Sequence, residues 1–414
     1  MTLKTIIKKM ENKQERSEKK LMLISPMLHQ GGFERVCVET ARIMQPLCDI
    51  TIVIFSDEDI AYDISGLKVV NLGLGPRRGT PAKLINILRR KHALSKLKKE
   101  LGTDIAYSFG LTAGIANCLS HGNEKVYTGL RGYTDLGSTR TMKLYAEKAD
   151  GMICCSECIT REIKEKYNYK NASTLYNPYD TEQIRRDSQA GTPELPFAEG
   201  TRVLVSMGRE DDVKAFWFML KAFALIHEKA ADTGLMIIGE GTYEEDRELA
   251  GRLGISDSVY FAGLQTRPYE YLKCGTVYLM TSIHEGFPNA MVEAMALGLP
   301  AVSVNCMTGP AEILDDNAPY GAGKVIYGRY GIICPAVSEN GMTPEQERET
   351  GIDTGTTGNE ETEYADAVLR LLNDSELYAH YHEASLMRAG DFSQKAYAEN
   401  LKEILFREDG ALNG

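Results

Sequence analysis

What this chain of 414 residues lacks narrows its reading first. No stretch approaches the roughly 20 apolar residues that a membrane-spanning helix needs, and the opening segment MTLKTIIKKMENKQERSEKK has no apolar centre of the kind a secretory signal carries. The expected place of the chain is therefore the cytoplasm. Cysteine occurs in an odd count of nine, scattered through apparent strands and helices, which fits separate reduced thiols and no disulfide framework. Cys155 and Cys158 have neither a second pair nor histidines at ligand spacing, and Ser156 between them reads as a helix cap, so no zinc site is expected. The basic stretches lack interleaved aromatics or a recognisable reading module, which removes nucleic acid from the expected partners.

What is present is a soluble globular balance, 43% apolar and 25% charged, at a length that favours two domains. The net charge of −11 is unevenly spread: residues 1–200 hold 30 Lys+Arg against 24 Asp+Glu, and residues 201–414 hold 17 against 34. A basic first half suits an anionic partner such as a phospholipid surface or a lipid-linked phosphate. Residues 76–99 concentrate this charge, with nine Lys+Arg and no acid, and Leu84, Ile87, Leu88, Leu94 and Leu97 recur near helical spacing. Such a helix either lies on anionic lipid, at the inner face of the cell membrane, or packs on a sheet with its charges in water.

From Leu21 onward apolar runs alternate with amphipathic segments (LMLISP, GGFERVCVETARIM, ITIVIF, KVVNL, PAKLINILRRKHALSKLKKEL, DIAYSF), the pattern of parallel strands with crossover helices. It restarts at Thr201 with RVLVSMG and continues through LMIIGEG, SVYFAG, TVYLMTS and AVSVN. The expected organisation is a basic tail over 1–20, a Rossmann-like domain over 21–185, a linker over 186–200 and a second Rossmann-like domain over 201–390. Residues 335–362 of the second domain form a flexible insertion in this reading, and a final helical segment over 391–414 returns to the first domain. Two doubly wound domains facing across a cleft bind ligands outside the carboxyl ends of their strands, so the strand-to-helix loops are where site residues are expected.

Four of those loops carry candidate chemistry. The turn containing Gly31 and Gly32 removes side chains where a helix begins, which admits a diphosphate to its amides or is simply a tight turn. In GREDDVK, Arg209 and Lys214 either neutralise a diphosphate leaving group or belong to a solvated helix start. In LMIIGEGTYEE, Gly239 and Gly241 lack the third glycine of a dinucleotide fingerprint, position 244 being Glu, so the loop faces a nucleotide or only turns; Leu264 either borders a base or is core. In SIHEGFPNAMVEAMALGLP, Pro288 is suited to start a helix that presents the amides from Gly286 to Ala290. Glu293 follows within that apolar helix, where a carboxylate must be hydrogen-bonded to something.

The segment HEGFPNAMVEAMALGLP resembles the signature of the retaining nucleotide-sugar glycosyltransferases of family 4, two glutamates separated by seven residues, and these enzymes have the GT-B fold. The likeness extends in order to GGFERV, ICCSE, LYNPYD, GREDDVK and IIGEG, over roughly residues 21–334. It implies that Glu293 binds the donor's ribose hydroxyls, that Glu285 holds the donor sugar, and that the loop amides of Gly286, Phe287, Pro288's neighbours and Asn289 orient that sugar. Arg209 and Lys214 would hold the diphosphate, with Gly32 approaching it from the first domain. The implied reaction moves a sugar from a nucleotide diphosphate, UDP by default, to a saccharide or lipid-linked acceptor, with no metal required. Many members carry a histidine in the first domain where this chain has VYTGLRGYTDLG, and Arg131 is the candidate to face the sugar or acceptor there; His29 and His121 have no support as substitutes. His284, next to Glu285, reads as a loop histidine. Asp57-Glu58-Asp59 imitates a metal-binding D-x-D but belongs to none of the motifs that carry the likeness and reads as surface acids. The competing expectations are a silent sugar-nucleotide binder and a nucleotide-sugar epimerase on the same architecture.

Overall fold

In the computed structural model, residues 18–406 are described apart from 30, 317, 318, 320, 322 and 338–356. The expected basic tail, apart from its last three residues, and most of the expected insertion lie outside the described residues. The chain forms two compact units, residues 1–178 with 394–414, and residues 179–393.

The first unit holds a seven-stranded parallel sheet of β1 (Lys20–Ser25), β2 (Asp49–Ile54), β3 (Val69–Asn71), β4 (Ile105–Phe109), β5 (Lys125–Leu130), β6 (Gly151–Cys154) and β7 (Ala172–Thr174), in the order β3-β2-β1-β4-β5-β6-β7. The central strands are apolar almost throughout because both faces are covered by helices. On one face Val36, Cys37, Ala41 and Met44 of the helix Gly32–Met44 pack on Leu21, Leu23, Ile52 and Ile54. The helix Gln394–Leu405 joins that same face, where Tyr397, Leu401 and Leu405 are buried in the cluster and Thr40 Oγ1 lies 2.7 Å from Tyr397 Oη.

The second unit holds β8 (Arg202–Met207), β9 (Thr233–Ile238), β10 (Val259–Gly263), β11 (Val277–Met280), β12 (Ala301–Val304), β13 (Ile326–Tyr327) and β14 (Ile332–Cys334). Their order is β10-β9-β8-β11-β12-β14-β13, parallel except for β13, which runs antiparallel to β14. Its helix Phe216–Lys229 is buried nearly all round. Tyr364, from the helix Asn359–Asn373, donates to Val302 O at 2.9 Å, and its ring meets Phe218 edge-on at 5.8 Å.

Two boundaries differ from expectation. The chain passes between units at Pro178/Tyr179, not within 186–200: residues Thr181–Ser188 are a helix capped by the Asp180 side chain, and the Pro/Gly-rich stretch after it is fastened to the second unit. There Lys273 Nζ donates to Gly191 O at 2.7 Å, and Phe197 meets Tyr260 edge-on at 6.3 Å. Residues 359–362, placed in the flexible insertion by composition, are the first turn of the helix Asn359–Asn373, where Glu361 turns back to accept from Gly358 N at 2.8 Å.

Candidate functional site

Strand order reverses in the second unit between β8 and β11, and the loops that follow these two neighbours diverge there. Such a point is where doubly wound sheets bind ligands. After β8 come Gly208 and Arg209, then a single 3-10 turn Asp212–Lys214 whose cap, the Asp211 carboxylate, accepts from Val213 N at 3.1 Å. After β11 come Thr281 to Pro288. The loops are stitched together: Ile283 N donates to Val213 O at 2.8 Å, and Thr281 Oγ1 donates to Lys214 O at 2.9 Å. Thr308 Oγ1, from the loop after β12, donates to the carbonyl of Glu285.

This stitching sets Lys214 Nζ 2.5 Å from Glu285 Oε1. Gly208 makes room for the lysine chain, since a Cβ there would lie 3.1 Å from Lys214 Cε. Both charged groups line a cavity of about 320 Å³ together with Arg209, Phe287, Pro288, Asn289, Ala290 and Glu293. Arg209 is well exposed and pairs with Asp211 at 3.2 Å. Glu293 is 8% exposed on the helix Asn289–Ala296, among the buried Met291, Val292, Ala294 and Met295. Its charge and that of Glu285 are felt in the wall: the Tyr278 phenol is raised by burial first and then by both carboxylates, and the Cys306 thiol by burial and then Glu285.

Within the same motif other residues do structural work. Pro288 is the cap and not the first residue of the helix; its carbonyl accepts from Met291 N at 3.2 Å. Asn289 Oδ1 accepts from Tyr179 Oη, and Phe287 packs edge-on against Phe392 at 5.3 Å. His284 is exposed. Sequence reasoning missed Tyr278, Ser206 and Ser282 in the cavity wall; only Ser282, which opens the motif, had a signal beside it.

The Gly239/Gly241 loop is not among the cavity's lining residues. A Cβ on Gly239 would lie 1.9 Å from the Gly208 carbonyl oxygen, and one on Gly241 2.4 Å from Glu210 Cβ. Glu210 itself accepts from Thr242 N at 2.6 Å and Tyr243 N at 2.9 Å. These glycines therefore let one loop lie on another, and the Glu210 carboxylate serves the neighbouring loop. Leu264 is 59% exposed, which removes the core alternative.

In the first unit, Gly32 is exposed at the start of its helix. The preceding Gly31 N donates to Tyr62 Oη at 2.9 Å, and the buried Glu34 carboxylate folds so close that a Cβ on Gly31 would meet it at 2.3 Å; burial raises that carboxyl above the ordinary range. Arg131, just after β5, donates to Tyr107 Oη and, at 3.3 Å, to Asn177 Oδ1, with its guanidinium 4.9 Å from the Phe109 ring centre. The arginine is thus held by its own unit, and its backbone amide donates to Asp135 at 2.7 Å. His121 follows the helix Leu111–Leu119, at the amino ends of the strands, where Nδ1 lies 2.8 Å from Lys148 O. His29 Nδ1 lies 3.2 Å from Asp59 O. Asp57, Glu58 and Asp59 are exposed, and among the described residues no group of three or more His, Cys, Asp or Glu could hold a metal ion.

Comparison with known proteins places the second unit. Residues 201–374 match the family described as Glycosyl transferases group 1. An uncharacterized glycosyltransferase of Methanocaldococcus jannaschii is 32% identical over 210 residues, 49% of this chain and 49% of its own length, so the match spans about half of that relative. An N-acetylgalactosaminyltransferase of Campylobacter jejuni, named for a diphospho-undecaprenol acceptor, is 22% identical over 340 residues, 78% of this chain and 88% of its own. Among solved structures, Anabaena HepE in complex with UDP and glucose superposes with a TM-score of 0.68 at 15% identity, covering 94% of this chain and 99% of HepE. The fold is GT-B. No helix among the described residues is long and apolar enough to cross a membrane.

Proposed function

We propose that the chain is a retaining glycosyltransferase of family 4. It moves a hexosyl or N-acetylhexosaminyl unit from a nucleotide diphosphate donor, UDP first among candidates, to a hydroxyl of a saccharide or lipid-linked saccharide. The product belongs to surface polysaccharide or glycolipid. The observation that carries this reading is one cavity, at the switch point of the second unit, lined by Arg209, Lys214, Glu285 and Glu293. The match of residues 201–374 to Glycosyl transferases group 1 and the UDP-and-glucose complex of HepE support it, and the Campylobacter relative's acceptor supports the lipid-linked choice.

In this reading Lys214 and Arg209 neutralise the charge that builds on the diphosphate as the bond from the anomeric carbon to the phosphate oxygen breaks and its electron pair passes to that oxygen. Glu293 accepts from the ribose hydroxyls and Glu285 from those of the sugar. The acceptor oxygen bonds to the anomeric carbon on the face the phosphate leaves, and the acceptor's proton passes to the departing phosphate oxygen. The two cations supply the charge a metal would supply, so none is required. Arg131, in the first unit, is assigned to the acceptor side.

Release of free UDP from a panel of UDP-sugars on adding acceptor tests the reading, with the anomeric configuration of the product read by NMR. Donor binding without turnover would instead mean a silent binder, an altered sugar without UDP release would mean an epimerase, and an inverted product would remove the retaining assignment.

A further inference from the structure

The helix Thr80–Leu101 is built against its composition. The line of residues it turns inward is Asn86, Arg90, Leu94 and Lys98, three of them polar, all buried. Each polar one finds a partner for its nitrogen, while Asn86 Oδ1 is buried without one. Asn86 Nδ2 donates to Gly75 O at 2.8 Å, Arg90 donates twice to Leu74 O at 2.9 and 2.7 Å with its guanidinium 4.4 Å from the Phe55 ring centre, and Lys98 Nζ meets Glu124 Oε1 at 2.7 Å.

Outward, over the first half of the same helix, stand Leu84, Ile85 and Leu88, at 59%, 55% and 62% exposure. They are three of the six large apolar side chains exposed among the described residues, and they fall within five consecutive positions. Folding of the first unit alone would favour the opposite choice, aliphatics in and arginine out. The arrangement makes sense if something apolar covers the outer face.

The surroundings of the patch say what that is. Arg77, Arg78, Lys83, Arg89 and Lys91 are exposed around it, and no acid occurs between 76 and 99. A second copy of the chain docked face to face would set one ring of cations against another. An anionic lipid surface satisfies both halves of the pattern, acyl chains for the leucines and headgroup phosphates for the cations. The helix begins after the carboxyl end of β3, the end of the first unit's sheet at which Gly32 and Arg131 also lie.

We propose that residues 77–91 dock the first unit onto an anionic bilayer, Leu84, Ile85 and Leu88 entering the acyl boundary while Arg77, Arg78, Lys83, Arg89 and Lys91 contact lipid phosphates. This goes beyond the glycosyl-transfer reading and does not depend on it, because vesicle binding is measured without donor or acceptor.

The test is flotation of the full chain with vesicles of phosphatidylcholine alone and of phosphatidylcholine with phosphatidylglycerol. The wild type is expected to float with the mixed vesicles only, and to be released as salt is raised. Leu84→Gln/Leu88→Gln is expected to bind about tenfold more weakly, and Arg77→Glu/Arg78→Glu to lose the preference for anionic lipid. The substituted side chains are exposed, so unchanged thermal melts establish that the variants are folded. Equal flotation with neutral vesicles, no flotation at all, or wild-type flotation by the leucine variant would each overturn the proposal. So would a dimer in sedimentation that Leu84→Gln/Leu88→Gln converts to monomer in a protein that binds no vesicles.

Discussion

Lys214 Nζ and Glu285 Oε1 lie 2.5 Å apart although 71 residues separate them in the chain. The contact exists because each follows one of two adjacent strands, β8 and β11, in the sheet of the second unit. Each charge holds the other over the cavity, so neither has to search for its place when a charged ligand arrives.

Replacing Glu285 with alanine is therefore expected to lower turnover on the order of 100-fold, with free UDP still bound nearly as well. Both side chains are partly exposed, so water can take over the lysine and stability changes by no more than about 1 kcal/mol. Steady-state kinetics beside titration calorimetry check this. Wild-type turnover in the variant would remove Glu285 from the chemistry.

Glu293→Ala should act on the other quantity. If Glu293 accepts from the ribose hydroxyls as proposed, its loss should weaken free UDP about tenfold or more, while the helix Asn289–Ala296 accepts alanine readily. Calorimetry with UDP and with a ribose-lacking pyrophosphate separates the cases. Equal UDP affinity in variant and wild type would sink the ribose role.

Gly239→Ala tests the loop packing. Gly239 has φ of 155° and the added Cβ would press on the Gly208 carbonyl, a backbone atom that cannot swing aside. A loss of about 1–3 kcal/mol in urea unfolding is expected, together with reduced turnover, because Gly208 precedes Arg209. Gly251→Ala, in the helix Glu244–Arg252 with only Ser256 Oγ near at 3.7 Å, should instead stabilise by about 0.5–1 kcal/mol.

The buried Lys98–Glu124 pair makes a further prediction. Glu124→Ala should cost about 3–5 kcal/mol by leaving a buried cation without its partner, whereas Lys98→Met/Glu124→Leu should recover most of that. Burial lowers the Lys98 ammonium below its ordinary value of 10.5. As pH rises through the lowered folded value toward 10.5 the folded state gives up its proton first, so unfolding free energy should rise there. Lys98→Met should remove that rise in urea titrations run across the alkaline range.

The alternation of strands and helices was legible because parallel strands covered on both faces are apolar along most of their length, as Leu21 to Ile24 and Ile52 to Phe55 are. The motif around Glu285 and Glu293 was legible because carboxylates in an apolar loop and helix stand out. Tertiary contacts decide the rest. Nothing local in SQAGTPELPFAEG announces that Phe197 packs on Tyr260, so its prolines and glycines read as a linker. Nor does Glu210 signal that it will cap the amides of Thr242 and Tyr243, since that depends on two loops meeting. The spacing of Leu84, Leu88 and Leu94 suggested one face, yet only Leu94 is buried, because the carbonyls of Leu74 and Gly75 draw Asn86 and Arg90 inward.

The helix Gln394–Leu405 fills the core of the unit made mostly of residues before 179. During translation, residues 179–393 have emerged in full, and can settle as a unit, before that helix exists. The earlier sheet must wait with the surface around Thr40 open until Tyr397 arrives. The part of the protein made first is thus the last to be finished, and a stalled ribosome would leave exposed the half that handles the acceptor in our reading.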